Sequence, residues 1–478
     1  MNTFENETNE NNETNKEIKN FYITSKGYKI PLNYSKVNEL KKELFVQPYC
    51  ENPVRFPIFR ISDKFLYIPK YYGINKFGLP KEENIKEQNG LSVDLNFTSK
   101  LRDYQIETCN KILLHLKNKQ SGLVSVYTGW GKTCAALWIA SQLKLKTLII
   151  VHTENLLEQW KERINDFLGI SNDEIGIIQG PKIDTHNKKI CIGMIQSISM
   201  KDYPVGSFKD FGLMIGDEIH HFSSRMFSRI FYKIGTKYNL GLSATLTRSD
   251  GLTKVIKYFL GDTIVSLKLS ILNPTIIVKF TNIDPLEEKR MVNGKANIPG
   301  MINDLCDSFA RNLEIINLIR EKYNEGRKIL VLSDRRNHCN QLKKLLEATI
   351  PNSENQVGLY YGGMKNIALQ ESNKKKIIIA TYQIASEGYD NKELDTLVFS
   401  TPKSNIEQAI GRILRQENEH EPEVIDFVDA WSVFNNLYFS RSRFYKKKKY
   451  NITGDIAKNK NEPEQNIKLD KCVIVDEE

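Results

Sequence analysis

Short apolar runs alternate with amphipathic runs twice along this chain, and that alternation narrows the fold more than any single motif. From Leu101 the runs GLVSVYT, KTLIIVHT, KICIGMIQS and FGLMIGDE read as strands, with CAALWIASQLK and NLLEQWKERINDFL as helices. The texture restarts after Pro274. There RKILVLSD, QVGLYYGG, KKIIIATY and LDTLVFST are strand-like, and RNHCNQLKKLLEAT and NIEQAIGRILRQ are helix-like. Uninterrupted apolar strands with helices between them belong in parallel sheets covered on both faces. The expected fold class is α/β, with two tandem lobes spanning 96–270 and 271–440. The stretch Ser266 to Pro299 bridges them.

Length and charge bound the rest. A chain of 478 residues suits two or three domains. No apolar run approaches the roughly 20 residues of a membrane span, so no membrane partner is expected. Residues 1–20, rich in Asn and Glu, lack the apolar stretch of a signal peptide and read as a disordered leader. The seven cysteines form no C-x-x-C pair, which argues against zinc and fits a reducing intracellular compartment. A net charge of +10 permits phosphate contacts with a polyanion.

Residues 21–95 form an accessory segment dense in aromatic and basic residues. FYITSKGYKI alternates like a strand. The adopted reading is a small β-rich unit with an aromatic core. The competing one is a nucleic-acid platform using Tyr71, Tyr72 and neighbouring Arg and Lys. The tail 441–478 carries Lys446 to Lys449, read as a solvated helix end, a nuclear signal or a phosphate-binding strip.

Chemistry concentrates after particular strands. TGWGKT, Thr128 to Thr133, lies between an apolar run and a helix. Gly129 and Gly131 let the backbone turn tightly enough for its amides to surround phosphate oxygens. The helix adds its positive end. Lys132 can neutralise β and γ phosphates, and the Thr133 hydroxyl can ligate magnesium. FGLMIGDEIHH delivers Asp217 and Glu218 at the end of a strand. Asp217 can hold magnesium through water, and Glu218 can orient and polarise an attacking water. His220 can link this site to the other lobe, while His221 packs or faces solvent. In LRDYQ, Arg102 and Gln105 precede a helix, and the Gln amide can pair with adenine.

Further along, Ser243 and Thr245 in GLSATLTRSDG suit a switch that senses nucleotide and re-pairs with the acids. ATYQIASEGYD offers Thr381 for a nucleic-acid phosphate, Gly388 for close backbone approach and Asp390 for a ribose hydroxyl. QAIGRILRQ reads as a helix in which Arg412 and Arg415 share one face and meet a γ phosphate across a cleft. Gln408 positions water or reads the nucleotide state. Thr153, Gln196 and Thr381, all near strand ends, are the candidate nucleic-acid contacts.

LRDYQ, TGWGKT, VHTENLLEQW, GMIQSIS, DEIH, SAT, ATYQIASEGYD and QAIGRILR occur in the order and spacing of superfamily 2 helicases. The resemblance spans about Leu101 to Asp429. GLSATLTRSDG and DEIHH resemble the XPB and UvsW group of DNA helicases. VLSDRRNHCNQL, YYGGMK and SEGYD look like the helicases of large nucleocytoplasmic DNA viruses. The resemblance implies two RecA-like lobes, each a parallel sheet flanked by helices. It also implies ATP and Mg2+ as cofactors and 3′ to 5′ movement on DNA in preference to RNA. A viral origin places the chain in host cytoplasm or nucleus, or packaged in the virion, working beside transcription or replication machinery. Two departures stand out: Val126 where the family often has Ala, and Gly216 where a β-branched residue is usual. Competing readings are a translocase that remodels complexes without separating strands, and an ATP-gated scaffold without useful turnover.

Overall fold

The structure is a computed structural model describing residues 20–50, 52–86, 89–127, 129–248, 250–267, 273–281, 288–350, 355–383, 391–414, 418–429 and 431–455. The chain divides into two compact units, Met1–Leu269 and Ser270–Glu478.

The first unit is built on an eight-stranded sheet. Its order is Lys182–Ile183, Gly176–Gln179, Ile190–Met194, Thr147–Val151, Leu213–Gly216, Tyr238–Ser243, Ser121–Val126 and Thr263–Leu267. All neighbours are parallel except the Gly176–Gln179 and Lys182–Ile183 hairpin. The central strands are buried along their whole length, which is why they read as unbroken apolar runs. Successive residues serve opposite faces. Leu148 and Ile150 join one apolar cluster, and Ile149 and Val151 join the other.

Helix Glu154–Leu168 shows how local chemistry sets an element. The Thr153 hydroxyl accepts the Leu156 N–H at its start, and Gly169 ends it in the left-handed region at φ +63°. Leu157, Trp160, Ile164 and Leu168, spaced three and four apart, form its buried stripe.

The accessory segment does not stand apart. It forms a five-stranded sheet ordered Arg60–Ile61, Phe65–Ile68, Gly27–Pro31, Tyr22–Thr24 and Ile85–Lys86. Its Phe21, Ile23, Tyr28, Ile30, Leu66 and Ile68 share one apolar cluster with Leu148, Ile150 and Met214 of the larger sheet. Tyr71 and Tyr72 are buried at this junction. The Tyr71 hydroxyl donates to Lys119 O and that of Tyr72 to Glu43, and Tyr72 meets Tyr258 edge-on at 5.0 Å. These two rings are core, and the platform built on them does not exist.

The second unit carries a seven-stranded, all-parallel sheet. Its order is Val357–Tyr360, Ile377–Thr381, Ile329–Ser333, Thr396–Phe399, Glu423–Val428, Thr275–Phe280 and Asn451–Gly454. Two sequence boundaries move. Thr275–Phe280, read as part of a bridge, is an inner strand. As far as residue 455 the tail expected from 441 is fold, because helix Val433–Lys448 runs through it and Asn451–Gly454 adds the edge strand. Arg441 explains the continuation. Buried in that helix, it donates to Asp426 Oδ2 at 2.9 Å, and Tyr445 reaches the same oxygen at 2.9 Å.

The helix expected over QAIGRILRQ is shorter than its pattern. It covers Glu407–Ile410, after which Arg412 N and Ile413 N bond three residues back, to Ala409 O and Ile410 O. The winding tightens there to i→i+3 bonding as far as the described residues run, and Arg415 lies beyond them. No helix among the described residues is long and apolar enough to cross a membrane.

Candidate active site

The phosphate turn sits between strand Ser121–Val126 and helix Lys132–Leu143. Gly129 and Gly131 hold φ of +89° and +99°, a region that side chains strain to enter. Gly131 is needed twice over, because a Cβ there would stand 2.4 Å from Gln105 Nε2. That amide braces the turn. Gln105 Nε2 donates to Trp130 O at 2.8 Å, while its Oε1 accepts the Arg102 N–H at 3.0 Å. The Tyr104 hydroxyl reaches the same Trp130 carbonyl at 3.3 Å, and Arg102 Nη1 donates to that hydroxyl at 2.7 Å. The expected adenine reader, Gln105, is thus 2% exposed and engaged at both ends within the protein. Arg102 is exposed, with its guanidinium 5.9 Å from the Tyr104 ring centre.

Two strand ends bring the acids and a hydroxyl partner to this turn. Leu213–Gly216 delivers Asp217, which is buried, accepts the Trp160 indole N–H at 2.9 Å and accepts the Glu218 N–H at 3.0 Å. Glu218 adopts φ +46°, a strained conformation for a residue with a Cβ, and this turns its carboxylate to Lys132 at 3.2 Å. The two acids diverge. Burial and the neighbouring Glu218 charge push Asp217 up. Burial also opposes charge on Glu218, but Lys132 and His220 outweigh it and hold that carboxyl well below its usual range. Glu218 therefore stays ionised beside a cation, which suits a group that must accept hydrogen bonds from water.

A hydroxyl joins the cluster. Ser243, at the end of Tyr238–Ser243, holds one hydrogen with three neighbours in reach: Thr245 O at 2.7 Å, His220 Nδ1 at 2.9 Å and Glu218 Oε2 at 3.2 Å. The Thr245 N–H donates back to Ser243 at 3.1 Å. Such sharing lets the hydroxyl re-pair as charge at Glu218 changes. Behind it, Arg248 Nη1 holds His220 O at 2.7 Å and its Nε holds Asp250 at 2.9 Å. His221 lies between two rings, 4.2 Å from His220 and 4.1 Å from His152; burial and these imidazoles push it down to about 3, so it packs neutral.

The structure explains one departure from the family pattern. A Cβ on Gly216 would meet Ile219 Cδ1 at 2.5 Å and Phe222 at 3.0 Å. Those side chains fold back over the strand end and take the volume a β-branched residue would need. Val126 is simply buried in the strand.

Among the nucleic-acid candidates, Thr153 has a local duty as a helix cap. Gln196 donates to His152 O at 2.7 Å, so these two candidates lie at neighbouring strand ends. Thr381 closes strand Ile377–Thr381 of the second unit and is half-buried. In that unit Gln408 lies in the short helix and Arg412 is buried. Thr128, Gly388, Asp390 and Arg415 lie outside the described residues.

Sequence reasoning missed the Trp160 contact to Asp217 and the bracing by Tyr104 and Arg248. Trp160 carried a usable signal, since a buried indole N–H needs an acceptor. The acceptor's identity depends on strand order.

The donor set suits a magnesium nucleotide: a glycine turn at a helix N-terminus, a lysine, a hydroxyl at Thr133 and two acids of opposite tendency. Residues 98–248 match the family described as type III restriction enzyme, res subunit, and residues 310–417 match the helicase conserved C-terminal domain. A protein named as an ATP-dependent RNA helicase in Acanthamoeba polyphaga mimivirus is 36% identical, over 90% of this chain and 86% of its own length. One with the same description from African swine fever virus (isolate Pig/Kenya/KEN-50/1950) is 27% identical over 74% of each chain. The crystal structure of T4 UvsW aligns at TM-score 0.37 and 17% identity, covering 91% of this chain and 98% of that one.

Proposed function

The chain belongs to the superfamily 2 helicases, and on that premise we propose that this ATP-dependent helicase couples hydrolysis at the Lys132–Glu218 site to 3′ to 5′ movement on DNA. One observation carries the reading: the Lys132–Glu218 pair shares its carboxylate with His220 and Ser243. A group that competes for Lys132 thereby changes what Glu218 and Ser243 hold.

Bound ATP with magnesium supplies the γ phosphate that water attacks. The turn amides and Lys132 bind it, and Thr133 and Asp217 hold the metal. Once Lys132 turns to phosphate, Glu218 is released to orient water. Ser243 and Thr245, tied to His220, carry that change away from the site. Arg412 and Arg415 neutralise charge on the γ phosphate, with Gln408 beside them. Gly388 and Asp390 contact the nucleotide, and Thr153, Gln196 and Thr381 contact nucleic-acid phosphates. The proposed setting is viral transcription or replication, in host cytoplasm or nucleus or within the virion.

The test is ATPase activity with single-stranded DNA, duplex DNA and RNA side by side, then displacement from 3′- and 5′-tailed duplexes. Glu218→Gln should lower kcat by about 10²- to 10⁴-fold with nucleotide still bound. Unchanged turnover would favour the scaffold reading. Stimulation without displacement would favour a translocase. Preferential stimulation by RNA, which the relatives' names favour, would replace DNA as the substrate.

A further inference from the structure

The accessory sheet buries one face and leaves the other in water. Tyr28, Ile30, Leu66 and Ile68 point inward, so Tyr22, Lys29, Phe65 and Tyr67, which alternate with such residues, occupy the opposite face. Register aligns them across strands: Arg60 lies opposite Tyr67, Tyr67 opposite Lys29, and Lys29 opposite Tyr22. Lys86, opposite Thr24, completes the far edge. The row reads cation, ring, cation, ring, cation. Four strand-to-strand steps make it about 19 Å long.

The contacts match the register. The Lys29 ammonium sits 3.7 Å from the Phe65 ring centre and 5.3 Å from that of Tyr22, and Lys86 lies 5.9 Å from the Tyr22 centre. An open groove of about 690 Å³ runs between Tyr22, Lys29, Lys64, Phe65 and Lys86. Lys76–Glu43, Lys81–Glu83 and Lys144–Asp94 are ion pairs of this segment, and none involves the row. Asp63 sits in a flanking bend, and Glu82 and Glu83 in the short 3₁₀ helix Glu82–Asn84. A solvated face needs only polar residues; rings alternating with cations are more than that requires.

We propose that this face binds single-stranded nucleic acid, as a second contact beyond those of the two lobes, and so rests on the helicase reading. Rings stack on bases, and the cations neutralise the phosphates between them. The ammonium of Lys29 covers the rings in the free chain, and a phosphate draws it off so that a base can replace it. Duplex is disfavoured because its base faces are already stacked. Tyr71 and Tyr72 take no part in this face, because they lie at the buried junction.

The test uses the full chain with two double variants, Tyr22→Ala with Tyr67→Ala, and Lys64→Ala with Lys86→Ala. The second removes two exposed lysines from the groove wall and reports on the same face should the ring variant misfold. Affinity for a labelled oligothymidylate is read by anisotropy. Contact is mapped by photocrosslinking a bromodeoxyuridine oligonucleotide. The half-saturating oligonucleotide concentration should rise about 10-fold in the ring variant, with kcat for ATP unchanged. The lysine variant should flatten the log–log salt dependence by about two. Crosslinks should fall within 20–33 and 60–68. Unaltered affinity and crosslinks elsewhere would overturn the proposal, as would equal competition by polyglutamate, which would mark a surface for acidic protein. Crosslinks on this face without stimulation of ATPase by any nucleic acid would instead sink the helicase reading and leave this one standing.

Discussion

Gly131→Ala probes the phosphate turn through a double-mutant cycle with Gln105→Ala. The new Cβ would lie 2.4 Å from Gln105 Nε2, so the amide must move from its bond to Trp130 O. Disrupting a buried bond of that kind costs about 1–3 kcal/mol. The backbone at φ +99° adds about 1–2 kcal/mol, because an alanine there meets its own carbonyl. The single variant should therefore lose about 2–5 kcal/mol. With Gln105 already alanine, the clash is gone and only the backbone cost of about 1–2 kcal/mol remains. The coupling between the two sites should be about 1–3 kcal/mol. Urea unfolding of the four proteins measures it, with ATPase assays in parallel. A Gly131→Ala penalty of equal size in both backgrounds would show that Gln105 does not brace the turn.

Three further outcomes follow from buried contacts. Trp160→Phe removes the indole donor to Asp217, so an acid already pushed up by burial should rise further; a magnesium titration of ATPase should show apparent affinity weaker by about 10- to 100-fold, and an unchanged titration would free Asp217 from metal binding. Gly216→Val should destabilise the chain by about 1–3 kcal/mol by overpacking against Ile219 and Phe222, and Ile219→Ala should relieve much of that in thermal melts. His338 is fully buried between Ser333 and Asn312, and burial, with Arg311 nearby, pushes it down to about 3. Asn312 donates its amide to Cys306 O, so its oxygen accepts from Nε2–H and the ring is held neutral with Nδ1 accepting from Ser333. Its folded value lies below the unfolded one of about 6.5, so the unfolded chain binds the extra proton first and stability falls as pH drops from about 6.5 toward 3. The loss from this ring should reach about 2 kcal/mol at pH 5, and urea titrations should find that slope reduced in His338→Gln.

The sequence by itself determined the elements whose signals are local. Each of the eight apolar runs read as a strand is one, because a strand buried on both faces needs apolar side chains at every position. The phosphate turn was equally legible, since its glycines answer to their own backbone angles. The apolar pattern is weaker over Tyr238–Ser243 and Glu423–Val428, where Asn239 and Asp426 interrupt it, although both are mostly buried strands. Pattern stopped short where one signal served two outcomes: QAIGRILRQ has helical periodicity, yet the helix ends at Ile410.

Tertiary structure alone decided who meets whom. Trp160 finds Asp217 across 57 positions, and Arg441 finds Asp426 across a strand and a helix. Asn451–Gly454 becomes a strand because Thr275–Phe280 offers it an edge. In the accessory segment the alternation was visible, but which aromatic rings face inward depended on the larger sheet that covers them. Periodicity assigns residues to faces of one element. Which face is covered, and which buried donor meets which acceptor, is set by the order in which distant strands pair.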